Sequence, residues 1–288
     1  MSPYDPDQQS EPKEKSIFGV IIHSFFVIPF LIAVFAVLLF AAVRILTMEK
    51  QTVYDLLEDV KIGGQTKRWQ SAFELSKILG NPDLVPQEEK FNTQMIKAFK
   101  ESKNDDSRVR QYLALAMGRT GRAEYAAPIL EDIKDEQEDN LYALIYALGL
   151  LKSQKATSAI IPYLDHPSPK IRLVSAIALG GIGDRQAINF LKKALNDSEP
   201  NVQWDAAISL AKMNNASGRK ILLNLLDRNY LAKFPNVDIQ SQTHVVLTTI
   251  EAASMLNDDQ LNAAIRHLAE TDQNMKVRKL AMEKLEKK

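Results

Sequence analysis

The 288-residue sequence has no cysteine and only four histidines, His23, His166, His244 and His267. Without thiols there are no disulfides, thiolate zinc sites, iron–sulfur clusters or cysteine nucleophile. Histidine is too sparse for most metal centres, and no two histidines form a ligand pair on one helical face. An excess of one charge is missing too, since 36 basic residues balance 36 acidic ones. A protein that grips nucleic acid by neutralising phosphates carries a basic excess. There is no phosphate-binding P-loop and no nucleophile elbow around a serine. No stretch sustains period-two alternation, so no sheet is expected. The chain is therefore read as a non-enzyme, with no catalytic residue, no metal site and no cofactor.

What the sequence does have begins with a long apolar run. Residues 1–16 are polar, contain Pro3, Pro6 and Pro12, and form a tail without apolar periodicity. From Ile17 to Val43 no charged residue occurs for 27 positions. As a helix this run is about 40 Å long, against a hydrocarbon core of about 30 Å. Signal-peptide apolar regions are shorter, about 7–15 residues, and close on a small-residue cleavage site that is absent here. Residues 17–45 are read as a permanent single-pass transmembrane helix, with Pro29 at a tolerated kink. Lys13 and Lys15 before the span balance Arg44, Lys50 and Lys61 after it, so flanking charge assigns no orientation. Residues 46–51 form a short tether that reaches at most about 20 Å.

From Thr52 onward the chain repeats itself. Val109, Asn140, Ile171 and Val202 lie 31 apart, and nine positions on stand Gly118, Gly149, Gly180 and Ala211. Weaker copies begin at Lys67, Val245 and Val277, and about 12 extra residues before Val245 fall within 228–242. Each unit reads as two helices. Ala187–Leu195 shows helical apolar spacing, a polar turn follows, and Ser198 and Pro200 suit the start of a second helix at Val202. A two-helix unit cannot bury its apolar face alone, so about seven units must stack across 52–288. Gly180-Gly181-Ile182-Gly183 follows a helix rather than a strand and reads as a helix terminus, not a phosphate loop.

The run Ser168-Pro169-Lys170-Ile171-Arg172, continued by Ala176-Ile177-Ala178-Leu179-Gly180-Gly181-Ile182-Gly183-Asp184, resembles the HEAT repeat. More narrowly it resembles the short bacterial HEAT-like units of phycobilisome lyases. The resemblance implies an all-α fold, an α-solenoid of about seven HEAT-like helical pairs preceded by one transmembrane helix. It is similar to bacterial HEAT proteins carrying one N-terminal span, which implies the bacterial inner membrane and a scaffold or adaptor role. In the family, Arg110, Arg172 and Arg278, with Arg68 as a weaker match, occupy a column whose arginines bond acidic turns of neighbouring units.

The family pattern places charged residues two and six positions after each second helix begins, on the exposed concave side. Here those positions read Trp69 and Phe73, Gln111 and Leu115, Tyr142 and Tyr146, Leu173 and Ile177, Trp204 and Ile208. Nine of these ten are apolar or aromatic, whereas the final unit has Lys279 and Glu283. Neighbours at i and i+4 share a helix face, so stacking would align them into a stripe. At about 50 Å² each, the stripe would approach the 300–600 Å² typical of binding patches. Packing between units explains the same pattern. The groove reading makes the chain a scaffold that holds a membrane-associated protein partner on this stripe. The alternatives are carriage of a lipid or other apolar ligand in the same groove, or a lyase-type chromophore- or protein-modifying factor. With the tail and span set aside, 33 basic and 32 acidic residues remain, so no nucleic-acid partner is expected.

Overall fold

The computed structural model describes residues 23–47, 51–134 and 137–287, so the polar tail, residues 17–22 of the expected span and positions 48–50 of the tether lie outside it. Two compact units divide at Gln51. In the first, a π-helical turn, His23–Val27, leads into α1 (Ile28–Thr47). The π-helical turn runs directly into α1, so Pro29 lies inside one continuous helical stretch over 23–47. Phe25–Val43 is the one helical window among the described residues long and apolar enough to cross a membrane.

The second unit is all helical, in pairs. The first helices of the pairs are α2 (Val53–Ile62), α4 (Glu89–Glu101), α6 (Ala126–Asp132), α8 (Thr157–Ile160, continued by a 3-10 turn to Asp165), α10 (Ile188–Ala194), α12 (Arg219–Leu225) and α15 (Asp259–Thr271). Their second helices are α3 (Gln65–Ile78), α5 (Ser107–Arg119), α7 (Glu138–Leu151), α9 (Pro169–Ile182), α11 (Pro200–Lys212), α14 (Ile239–Ala253) and α16 (Met275–Glu286). A further short helix, α13 (Arg228–Leu231), opens the insertion inside the sixth pair. The seven pairs form an α-solenoid, as the periodicity predicts.

The second helices pack on small residues. A Cβ added at Gly118 would lie 2.8 Å from the Cα of Ala147 in the next second helix. At Gly149 it would lie 2.7 Å from the Cα of Ala178, and at Gly180 it would lie 2.8 Å from the Cα of Ser209. No real Cβ fits at such distances, so these backbones approach as closely as glycine permits. The row with the closest backbones is the short side of a curved stack. We therefore take the second helices as the inner row and the first helices as the outer row.

A polar ladder runs along the turns. Arg68 pairs with Asp105, Arg110 reaches Asp132 at 2.9 Å, and Arg172 grips Asp197 with two bonds of 2.8 Å. In each case the arginine of one unit reaches the acidic turn or helix end of the next. Arg110 is wholly buried and lies 4.3 Å over the Phe99 ring, with a bond to the Phe99 carbonyl. The Arg172 guanidinium holds the Asp197 carboxyl below the usual carboxylate range, although burial opposes it. In the fifth unit Gln203 takes the column and donates to the Asp197 carbonyl. Ser198 does not cap α11. Glu199 is the N-cap without a side-chain bond, and Asp197 accepts from the Glu199 amide instead. Arg172 already fixes Asp197 in that turn, which leaves Ser198 no capping role.

The buried apolar residues form one cluster from Leu56 to Leu210 and another from Trp204 to Ala281. Between them sits a small group of Ala194, Val202 and Ala206. The core thus changes hands at α11, the last second helix before the insertion. Gly149→Ala is expected to force α7 and α9 apart and destabilise the solenoid by about 1–3 kcal/mol, the usual cost of overpacking. Thermal unfolding measures it, and an unchanged Tm would show that these helices have slack.

Candidate functional site

The residues of the expected stripe lie on the second helices, and their exposure varies along the row. Phe73 is 38% exposed, while Trp69, Leu115, Tyr142, Tyr146, Leu173 and Ile177 are half-buried. Trp204 and Ile208 are not exposed: they retain 4% and 5% of their surface. The expectation that the stripe lies open through the fifth unit is corrected for these two residues. The cause is the insertion. Phe234 meets the Trp204 ring edge-on with centroids 4.9 Å apart, and Tyr230 meets it at 6.4 Å. Tyr230 and Phe234 also pack on each other at 5.3 Å. This aromatic cover leaves the buried Trp204 Nε1 without an acceptor.

Rings also pair across the open part of the stripe. Phe73 of α3 meets Tyr112 of α5 at 5.1 Å, and Tyr142 stacks on Tyr146 at 6.5 Å with planes 12° apart. Cations border the rings. The Arg108 guanidinium lies 4.5 Å from the Trp69 ring, and the Lys170 ammonium lies 5.1 Å from that of Tyr142 while paired with Asp139. Sequence reading missed Tyr112, which stands one place beyond the stripe register, and missed Tyr230 and Phe234 as its cover. The signal for the latter was the pair of aromatic residues four apart in the insertion.

One further residue escaped the sequence reading. Asp205 stands next to Trp204 on α11, one turn before Ser209, whose hydroxyl donates to the Ala176 carbonyl of α9 at 2.8 Å. Asp205 therefore faces α9. Tyr112 is its counterpart in the second unit, and Tyr112 packs on Phe73 of the preceding second helix. The same register sets Asp205 beside Ile177. Among the described residues Asp205 makes no hydrogen bond or ion pair. Burial pushes its carboxyl up to about 7, and Lys212, about 10 Å along the same helix, only partly opposes this. Burial also raises the Tyr142 phenol, and Tyr146 and Asp205 raise it further against the pull of Lys170.

Outside the stripe, a cleft of about 840 Å³ opens between α12, α13, α14 and α15, lined by Arg228, Thr243, His267 and Asp272 among others. Arg228 and Asp272 are tied to each other by two bonds of 2.8 and 3.1 Å. No group of three or more His, Cys, Asp or Glu among the described residues is placed to hold a metal ion.

Residues 157–232 match the model of the HEAT-repeat family. Over those residues the chain is similar to HEAT repeats. The structure of the CpcE–CpcF complex of phycocyanin lyase from Nostoc sp. is similar to this chain at 19% identity and a TM-score of 0.55. That alignment covers 83% of this chain and 96% of the other, and shows the solenoid fold. An archaeal HEAT-like repeat protein from Thermococcus onnurineus is similar at 12% identity and a TM-score of 0.43, over 83% of this chain and 97% of the other. No curated protein matches the sequence.

Because the Asp205 carboxyl holds its proton more tightly when folded than unfolded, stability falls as pH rises from about 4 to about 7. Above that window the penalty is full, at most about 4 kcal/mol. Asp205→Asn is expected to raise Tm at pH 8 and to leave it nearly unchanged at pH 4. Equal Tm values for the two proteins at pH 8 would mean that the carboxylate is solvated.

Proposed function

We propose that the protein is a single-pass, membrane-anchored HEAT-repeat adaptor. Its inner face, from Trp69 and Phe73 through Leu115, Tyr142, Tyr146, Leu173 and Ile177, receives an apolar or amphipathic segment of a membrane-associated protein. The observation that carries the reading is the run of half-buried apolar side chains along the row whose helices are closest. Close packing would have buried them, as it buried Trp204 where Phe234 of the insertion covers its ring. Tyrosine and tryptophan are common interface anchors because each offers large area for little lost rotamer freedom.

The anchor is the Phe25–Val43 helix. Few residues of sequence separate that helix from the first repeat helix at Val53, which favours a partner that is itself membrane-associated. The compartment consistent with the bacterial likeness is the inner membrane.

An alkyl-diazirine amino acid placed at Ile177 in native membranes is expected to give a discrete protein adduct. The same probe at Phe190, on the outer helix α10, is expected to give none. Tyr146→Asp is expected to lower the adduct yield about tenfold, in line with removal of an interface anchor. Labelling confined to α7 and α11 would mean the stripe is core. Labelling of lipid or of a co-purifying small molecule would favour carriage of an apolar ligand.

A further inference from the structure

The floor of the inner face between α7 and α11 is made by Leu173 and Ile177 of α9, both half-buried. On one side stand Tyr142 and Tyr146 of α7, stacked on each other. On the other stands Asp205 of α11, facing α9 through the register that Ser209 fixes. Tyr142 and Asp205 thus stand on the two second helices that flank α9.

Asp205 is unlike the other acidic groups of the solenoid's turns. Asp105, Asp132, Asp197 and Asp272 each have an arginine. Asp205 has none. Lys212 is on its own helix two turns away, too distant to form a pair. An acidic side chain set in apolar surroundings without a partner is costly, and an incoming cation relieves that cost. The carboxylate is not sealed off, because Asp205 keeps part of its surface accessible. The tyrosine rings on the opposite wall favour the same charge, as the Lys170 ammonium already illustrates on Tyr142.

We infer that Asp205, with Tyr142 and Tyr146, recognises a lysine or arginine side chain carried by the apolar segment that occupies the inner face. This rests on the adaptor reading and specifies its partner: an apolar protein segment with a basic residue that lands over Ile177. Apolar contacts along Trp69, Phe73 and Leu115 supply area, and the charge pair sets the register of the segment in the groove.

The test uses the full chain in native membranes with the alkyl-diazirine residue at Ile177, and compares it with the same protein carrying Asp205→Asn or Asp205→Lys. Asp205→Asn removes a buried charge, so loss of the adduct in that variant cannot be assigned to unfolding. The expected result is an adduct whose cross-linked peptide has a lysine or arginine within one helical turn of the attachment point. Its yield is expected to fall about tenfold in Asp205→Asn and to vanish in Asp205→Lys, which opposes the incoming charge. A cross-linked segment without a basic residue, or a yield unchanged by Asp205→Asn, would overturn the assignment while leaving the groove itself standing. An adduct to a lipid with an amine or choline headgroup would overturn it in favour of a lipid cation. No adduct from the unsubstituted Asp205 protein would remove the groove reading and this inference together.

Discussion

At Gly118, Gly149 and Gly180 the backbone of one inner helix rests against the backbone of the next, with no room for a methyl group. Most other features of the solenoid follow from that contact. It holds the second helices closer than their longer side chains would allow, and so makes them the inner row. On these helices the side chains at the second and sixth positions are half-buried, or exposed at Phe73, over the first four units. At the turns there is room for arginines to cross from unit to unit. Arg68, Arg110 and Arg172 use that space to reach Asp105, Asp132 and Asp197. Glycine contacts and arginine bridges thus secure the stack at two levels, by backbone packing and by charge at the turns.

The insertion alters this pattern at one place. Arg228, its first residue, takes the bridging role by gripping Asp272, where the repeat column would otherwise be displaced by the extra residues. Tyr230 and Phe234 then fold onto Trp204, and the continuous core divides beside α11. The same event separates Asp205 from Trp204 in character: the ring is covered, while the neighbouring carboxylate keeps some access to the groove. A surface that begins as a uniform apolar stripe therefore ends in a charged stop next to an aromatic plug.

Much of this was legible in the sequence because a repeat states its own geometry. The spacing of 31 residues, the glycines at the ninth position and the arginine column each appear several times, so any one of them is checked by its copies. Gly183 ends α9 in the left-handed region at φ +76°, as a helix terminus at the glycine cluster requires. What was not legible is what happens once. Burial of Trp204 and Ile208 depends on a loop that returns from later in the chain, and no register in the repeat encodes it. The isolation of Asp205 depends on which cations fail to reach it, which is a property of three helices rather than of one. The cap at Ser198 was misplaced because Arg172 claims Asp197, a long-range pairing that outweighs local capping preference.

The account stands on an inner face that is open over the early units and closed over the fifth. The only two tryptophans, Trp69 and Trp204, sit on either side of that boundary. Acrylamide quenching of Trp69 in Trp204→Phe, set against quenching of Trp204 in Trp69→Phe, measures the difference directly. The account predicts that Trp69 is quenched several-fold more efficiently, and that Phe234→Ala makes Trp204 accessible. Equal quenching of the two tryptophans, with Phe234→Ala having no effect, would contradict it.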